Sequence, residues 1–99
     1  MRYQMVIQAD STSRADHDAM LSLEERVERA LKHGDFVDGH DSGSGEWNIF
    51  LDIADPGAAF ANIAAVLEGR RGLRVAYREM GASKYVPMFP SDLRNFRVA

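Results

Sequence analysis

The residue types best suited to chemistry lie close together between Asp35 and Glu46, in the segment DFVDGHDSGSGE. Four acids and His40 surround a glycine-rich run, which makes Asp38, His40, Asp41 and Glu46 the first candidates for a binding site. An imidazole beside carboxylates can move a proton or hold a weakly bound metal, and acids around a turn can meet a basic surface. Two counts go against metal: the acid spacing does not fit a calcium loop, and His17 and His33 fall near the start and at the end of a predicted helix. No metal and no cofactor is expected. The plain alternative is that the acids bond to turn amides while His40 caps a strand end.

Nucleophilic catalysis finds little support. Ser42 and Ser44 flank Gly43, but neither is the central serine of G-x-S-x-G, and no lysine or second histidine is near in sequence to serve as base. Gly43-Ser44-Gly45 enters a strand without a following helix or P-loop lysine, so it is not a phosphate cradle. His40 with Glu46 is the one acid–base pair on offer, and its competence depends on a distance that spacing does not set.

The elements that position this segment follow from periodicity. Tyr3, Met5, Ile7 and Ala9 alternate with Arg2, Gln4, Val6 and Gln8, the period of a strand with one buried face. Ser11, Thr12, Ser13 and Asp16 offer capping oxygens to a helix whose stripe is Met20, Leu23, Val27, Ala30 and Leu31, with Gly34 as its stop. Phe36 to Asp41 and Glu46 to Ile53 read as a hairpin, with Gly43 and Gly45 in a tight turn and Gly39 allowing a bulge. Asp55-Pro56 opens a second helix carrying Ala59, Phe60, Ile63, Ala64 and Leu67, which stops at Gly69. Leu73 to Met80 is a fourth strand, and Lys84 to Phe89 is a short fifth one, held to an edge by Pro87 and Pro90. The remaining SDLRNFRVA is expected to be a frayed basic tail.

This order predicts an α+β fold: a ferredoxin-like βαββαβ sandwich over residues 1–90, with two helices on one face of an antiparallel sheet and a tail over 91–99. The other face is left open to show Gln4, Val6, Gln8, Asn48, Phe50, Asp52, Arg74, Ala76 and Arg78. Asp52 and Arg78 suggest a cross-strand ion pair. Phe50 and Val6 suggest an apolar spot where a second copy or a protein partner settles, with the stretch around Tyr85, Met88 and Phe89 folding over it or reaching across to a neighbour. Asn48 and Phe50 therefore join the candidate binding residues.

The residues Val37–Asp41, Gly43–Glu46, Asn48–Phe50 and Tyr85–Pro90 carry a likeness as well. The pattern VDGHDxGSGExNIF with a closing aromatic and proline element resembles a small bacterial family of about this length. The resemblance covers residues 1 to about 90 as one unit and implies no particular activity.

Composition bounds the rest. The chain has 99 residues, no cysteine and a formal net charge of −3, which suits one compact soluble domain and excludes disulfides and thiolate sites. No leader and no membrane helix is apparent, so the cytoplasm is the expected location. The charge is polarised. Twelve acids against five bases give −7 from Met1 to Asp55, and three against seven give +4 from Pro56 to Ala99. The third strand, EWNIFLDI, is acidic at both ends, which argues against nucleic acid as a partner. The leading expectation is a non-catalytic module that binds a protein partner or itself through the sheet face and the acidic hairpin. An inhibitor or immunity-type protein is one concrete version. The alternative is a small dimeric α+β-barrel enzyme or a small-molecule-binding domain, with His40, Asn48, Tyr77 and Tyr85 around a pocket.

Overall fold

A computed structural model describes residues 1–98. In chain order the elements are β1 (Tyr3–Asp10), α1 (Arg14–Ala30), β2 (Phe36–Gly43), β3 (Glu46–Ile53), α2 (Pro56–Leu67), β4 (Arg74–Glu79) and β5 (Val86–Phe89). Both helices start where capping chemistry allows. The Ser13 hydroxyl accepts from the Asp16 amide at 3.1 Å, and the Asp16 carboxylate accepts from the Thr12 amide at 2.9 Å. This reciprocal cap, led by the Thr12 main-chain bond, holds the Asp16 carboxyl below its ordinary value. At α2 the Asp55 side chain accepts from the Ala58 amide at 3.0 Å, with Pro56 in the first turn.

α1 ends before the expected stop at Gly34. Leu31 is already extended and packs on the core, so the reversal falls in a Lys32–Asp35 turn that includes Gly34.

The five strands form one antiparallel sheet in the order β2-β3-β1-β4-β5. Both helices cover one face. Met5, Ile7, Ile49, Leu51, Ile53 and Val75 from the sheet meet Met20, Leu23 and Val27 of α1 and Ala59, Ile63 and Leu67 of α2. Truncating one of the fully buried isoleucines or leucines would cost about 2–5 kcal/mol through lost burial and the cavity left behind. No helix among the described residues is long and apolar enough to cross a membrane.

The β2–β3 hairpin is tighter than its glycines suggest. Gly43 pairs with Glu46 as the last residue of β2, so the loop is only Ser44-Gly45, at φ 55° and 80°. Positive φ at both central residues is the condition for a type I′ hairpin turn, whose twist matches that of the strands. The register slips between Val37 and Gly39, leaving Asp38 as the extra residue of a bulge in which Gly39 has φ 124°.

On the face away from the helices, β1 sets Gln4, Val6 and Gln8 opposite Asp52, Phe50 and Asn48 of β3 and opposite Arg78, Ala76 and Arg74 of β4. The expected Asp52–Arg78 pair does not form, because β1 lies between their strands. Arg2 takes Asp52 at 2.7 Å, and Arg78 donates to Gln4 at 3.0 Å.

Residues 91–98 have no regular secondary structure, yet they do not fray. They return over this second face, where the Arg97 carbonyl oxygen accepts from Gln8 and the Phe96 ring meets Tyr85 edge-on at 5.2 Å. The expected tail also includes Ala99, which lies outside the described residues.

Candidate functional site

A polar chain crosses four strands on this face. Asn48 donates from Nδ2 to Asp41 at 2.9 Å and to Glu46 at 3.1 Å, joining β2 to β3. Gln8 Nε2 has Asn48 Oδ1, Glu46 Oε2 and the Arg97 carbonyl oxygen all within 3.0 Å, three acceptors for two hydrogens. The Gln8 carbonyl oxygen accepts from Arg74 Nε at 2.7 Å, and Arg74 reaches on to Asp10 at 3.2 Å. Gln8 and Asn48 are 4% and 2% exposed, which makes them structural amides covered by the rest of the molecule.

The second polar group on this face surrounds Gln4. The Tyr85 hydroxyl donates to Gln4 Oε1 at 2.6 Å, and Arg78 donates to the same oxygen. The Arg78 guanidinium lies 4.7 Å from the centre of the Tyr85 ring and also donates to the Ala82 carbonyl at 2.9 Å. Burial pushes the Tyr85 hydroxyl above its ordinary value, with the Arg78 charge opposing. At neutral pH Tyr85 is therefore a hydrogen-bond donor.

Between the Gln4–Phe50–Arg78 part of the sheet and residues 94–98 lies a cleft of about 810 Å³. Its lining includes the cations Arg78, Lys84, Arg94 and Arg97 and the rings of Phe50, Tyr85 and Phe96, with Ser83 and Asn95 as neutral polar groups. No carboxylate is among its described lining residues. What this arrangement can do is bind: it presents cations and flat apolar walls, without a paired nucleophile and base.

The residues singled out from the hairpin do not come together. Asp41, Glu46 and Asn48 meet on the cleft face, whereas the next residue back, His40, points to the helix side. There its Nδ1 lies 2.8 Å from Glu24 of α1. Ser42 shares that side, 3.4 Å from His17. Asp38 stands exposed in the bulge. The expected convergence of Asp38, His40, Asp41 and Glu46 fails because neighbouring strand residues face opposite ways. Phe50 lies in the cleft lining, and among the described residues no group of three or more His, Asp or Glu is placed to hold a metal. Of the pocket candidates, Tyr77 packs in the helix-side layer at 6.0 Å from Tyr3, so only Asn48 and Tyr85 share the cleft face.

Sequence reasoning missed Arg94, Phe96 and Arg97. The signal was an aromatic residue set between two arginines in a stretch without helical or strand periodicity, which is also what a disordered basic end looks like.

Fold and site together define a small α+β protein with one helix-covered sheet face and one face that its own C-terminal segment turns into a cleft. No protein-family model matches the chain, and no curated protein does either.

Proposed function

We propose that this chain is a ferredoxin-like domain with an added edge strand, acting as a binding module that holds an anionic small molecule in the open-face cleft. The four-strand order β2-β3-β1-β4 and the placement of both helices on one face support the fold reading. The likeness of the hairpin and the Tyr85–Pro90 element to a small bacterial family, and a cytoplasmic location, belong to the same reading.

One observation carries the function. In a chain of net charge −3, a cleft lined by four cations has no carboxylate among its described lining residues. Such a site concentrates negative charge against the overall field of the protein. The test is calorimetric titration with small anions at low and high salt. Binding should weaken as salt rises and should be lost when Arg94 and Arg97 are both changed to glutamine. Titrations showing no binding of any anion would sink the reading.

A second reading has its own support. Asp38 and Asp41 are exposed on β2, an edge strand of the sheet, next to the exposed hairpin end at residues 42–45. This favours a protein partner with a basic surface, as an inhibitor or immunity-type protein would meet. Replacing Asp38 and Glu46 with their amides should then weaken binding to a polylysine surface, and unchanged binding would count against it.

A further inference from the structure

The cations of the cleft are not equivalent. Arg78 is held by Gln4, the Ala82 carbonyl and the Tyr85 ring. The side chains of Lys84, Arg94 and Arg97 make no hydrogen bond or ion pair with any described residue. A single unpaired surface arginine is ordinary. Here three cations reach one cleft from two separate stretches, Lys84 beside β5 and Arg94 and Arg97 on the returning C-terminal segment.

Between them lie Phe50, Tyr85 and Phe96, so the same space that attracts negative charge has apolar, planar walls. A purely ionic ligand leaves those rings facing water. A neutral aromatic leaves three cations without a partner.

Resting on the reading above, we infer that the ligand of this cleft is a planar aromatic molecule bearing a dianionic group, the chemistry of an aryl phosphate monoester or a nucleoside monophosphate. A phosphate monoester offers several acceptor oxygens and a charge near −2 at neutral pH, enough for two guanidinium groups and an ammonium together. The ring stacks on the aromatic walls. The volume of about 810 Å³ suits a ligand of that size. The adjoining hollow, about 570 Å³ and reached past Phe96 and Arg97, sets Glu46 beside Arg74 rather than continuing the run of cations that a polymer backbone would track, so a single phosphate monoester is favoured over a nucleic-acid strand.

The experiment titrates the full chain with adenosine monophosphate, phenyl phosphate, adenosine, inorganic phosphate, citrate and a short single-stranded oligonucleotide. The two aromatic phosphates should bind about tenfold or more tighter than inorganic phosphate, citrate or adenosine, since only they satisfy both halves of the site. Phe96→Ala should reduce them to the level of inorganic phosphate. Should that variant unfold, as judged by circular dichroism, Phe50→Leu serves in its place. Arg94→Gln with Arg97→Gln should weaken every phosphate, and Arg71→Gln, outside the cleft lining, should change none. If citrate or inorganic phosphate binds as tightly as the aromatic phosphates, the aromatic inference is wrong and the anion cleft stands. If no probe binds, both fail. An oligonucleotide that binds far tighter than the monophosphate overturns the inference in favour of nucleic acid.

Discussion

The side-chain amide of Gln8, near the end of the first strand, donates to the main-chain carbonyl oxygen of Arg97 at 2.9 Å, across 89 positions of sequence. Gln8 also touches Asn48, Glu46 and Arg74, so one buried amide ties the C-terminal segment to three strands. Gln8→Ala leaves those partners short of a bond in a site closed to water. The expected loss is about 1–3 kcal/mol in urea unfolding, with faster amide exchange over residues 95–98. Unchanged exchange there would mean that other contacts hold the segment.

Val6 and Ala76 are fully buried yet stand outside the helix-side core. Their cover must come from the other face, where residues 91–98 return. Truncation after Pro90 should therefore expose an apolar spot with Phe50. Light scattering should find the truncated protein self-associating at concentrations where the full chain is monomeric. A truncated chain that stays monomeric and binds no hydrophobic dye would refute this role for the segment.

The two-residue turn makes a sharper demand than glycine content alone. Gly45→Val should destabilise by about 1 kcal/mol or more, because a β-branched residue at φ 80° is strained. Ser44→Asn should stabilise by about 0.5 kcal/mol, since asparagine tolerates the left-handed region better than serine. Thermal melts of the two variants should shift in opposite directions.

Tyr85 sets a limit at alkaline pH. Its folded-state value is raised above the ordinary 10.0, so the unfolded chain ionises first. The stability it contributes is fully present below pH 10.0 and is lost as pH rises from there through the folded value. Spectroscopic titration should find one tyrosine ionising late, and Tyr85→Phe should remove that late step. A titration curve identical in the variant would be the contrary result.

His40 provides the contrast. It bonds Glu24 at 2.8 Å on the side facing α1. That pair is partly exposed, so His40→Ala should cost less than about 1 kcal/mol and leave anion binding untouched. A binding loss in this variant would return the site to the hairpin.

Alternation, capping and punctuation are local, and local physics was enough for much of this protein. Ser13 and Asp55 mark both helix starts, and the sequence of β3 from Glu46 to Ile53 already sorts its residues between two faces. The same alternation separates His40 from Asp41, which the clustering of acids around His40 obscures. The composition likewise determined that no disulfide or thiolate chemistry is available.

The path of the C-terminal segment depends instead on contacts that exist only in the assembled sheet. Residues 91–98 have no periodic pattern to read, and their position depends on a glutamine in the first strand, a tyrosine before the fifth and an open sheet face assembled from three strands. Those partners are distant in sequence and meet only after the sheet has formed. The positive half of a polarised chain thus acquires a location, with Arg94 and Arg97 brought over the sheet to line the same cleft as Arg78 and Lys84.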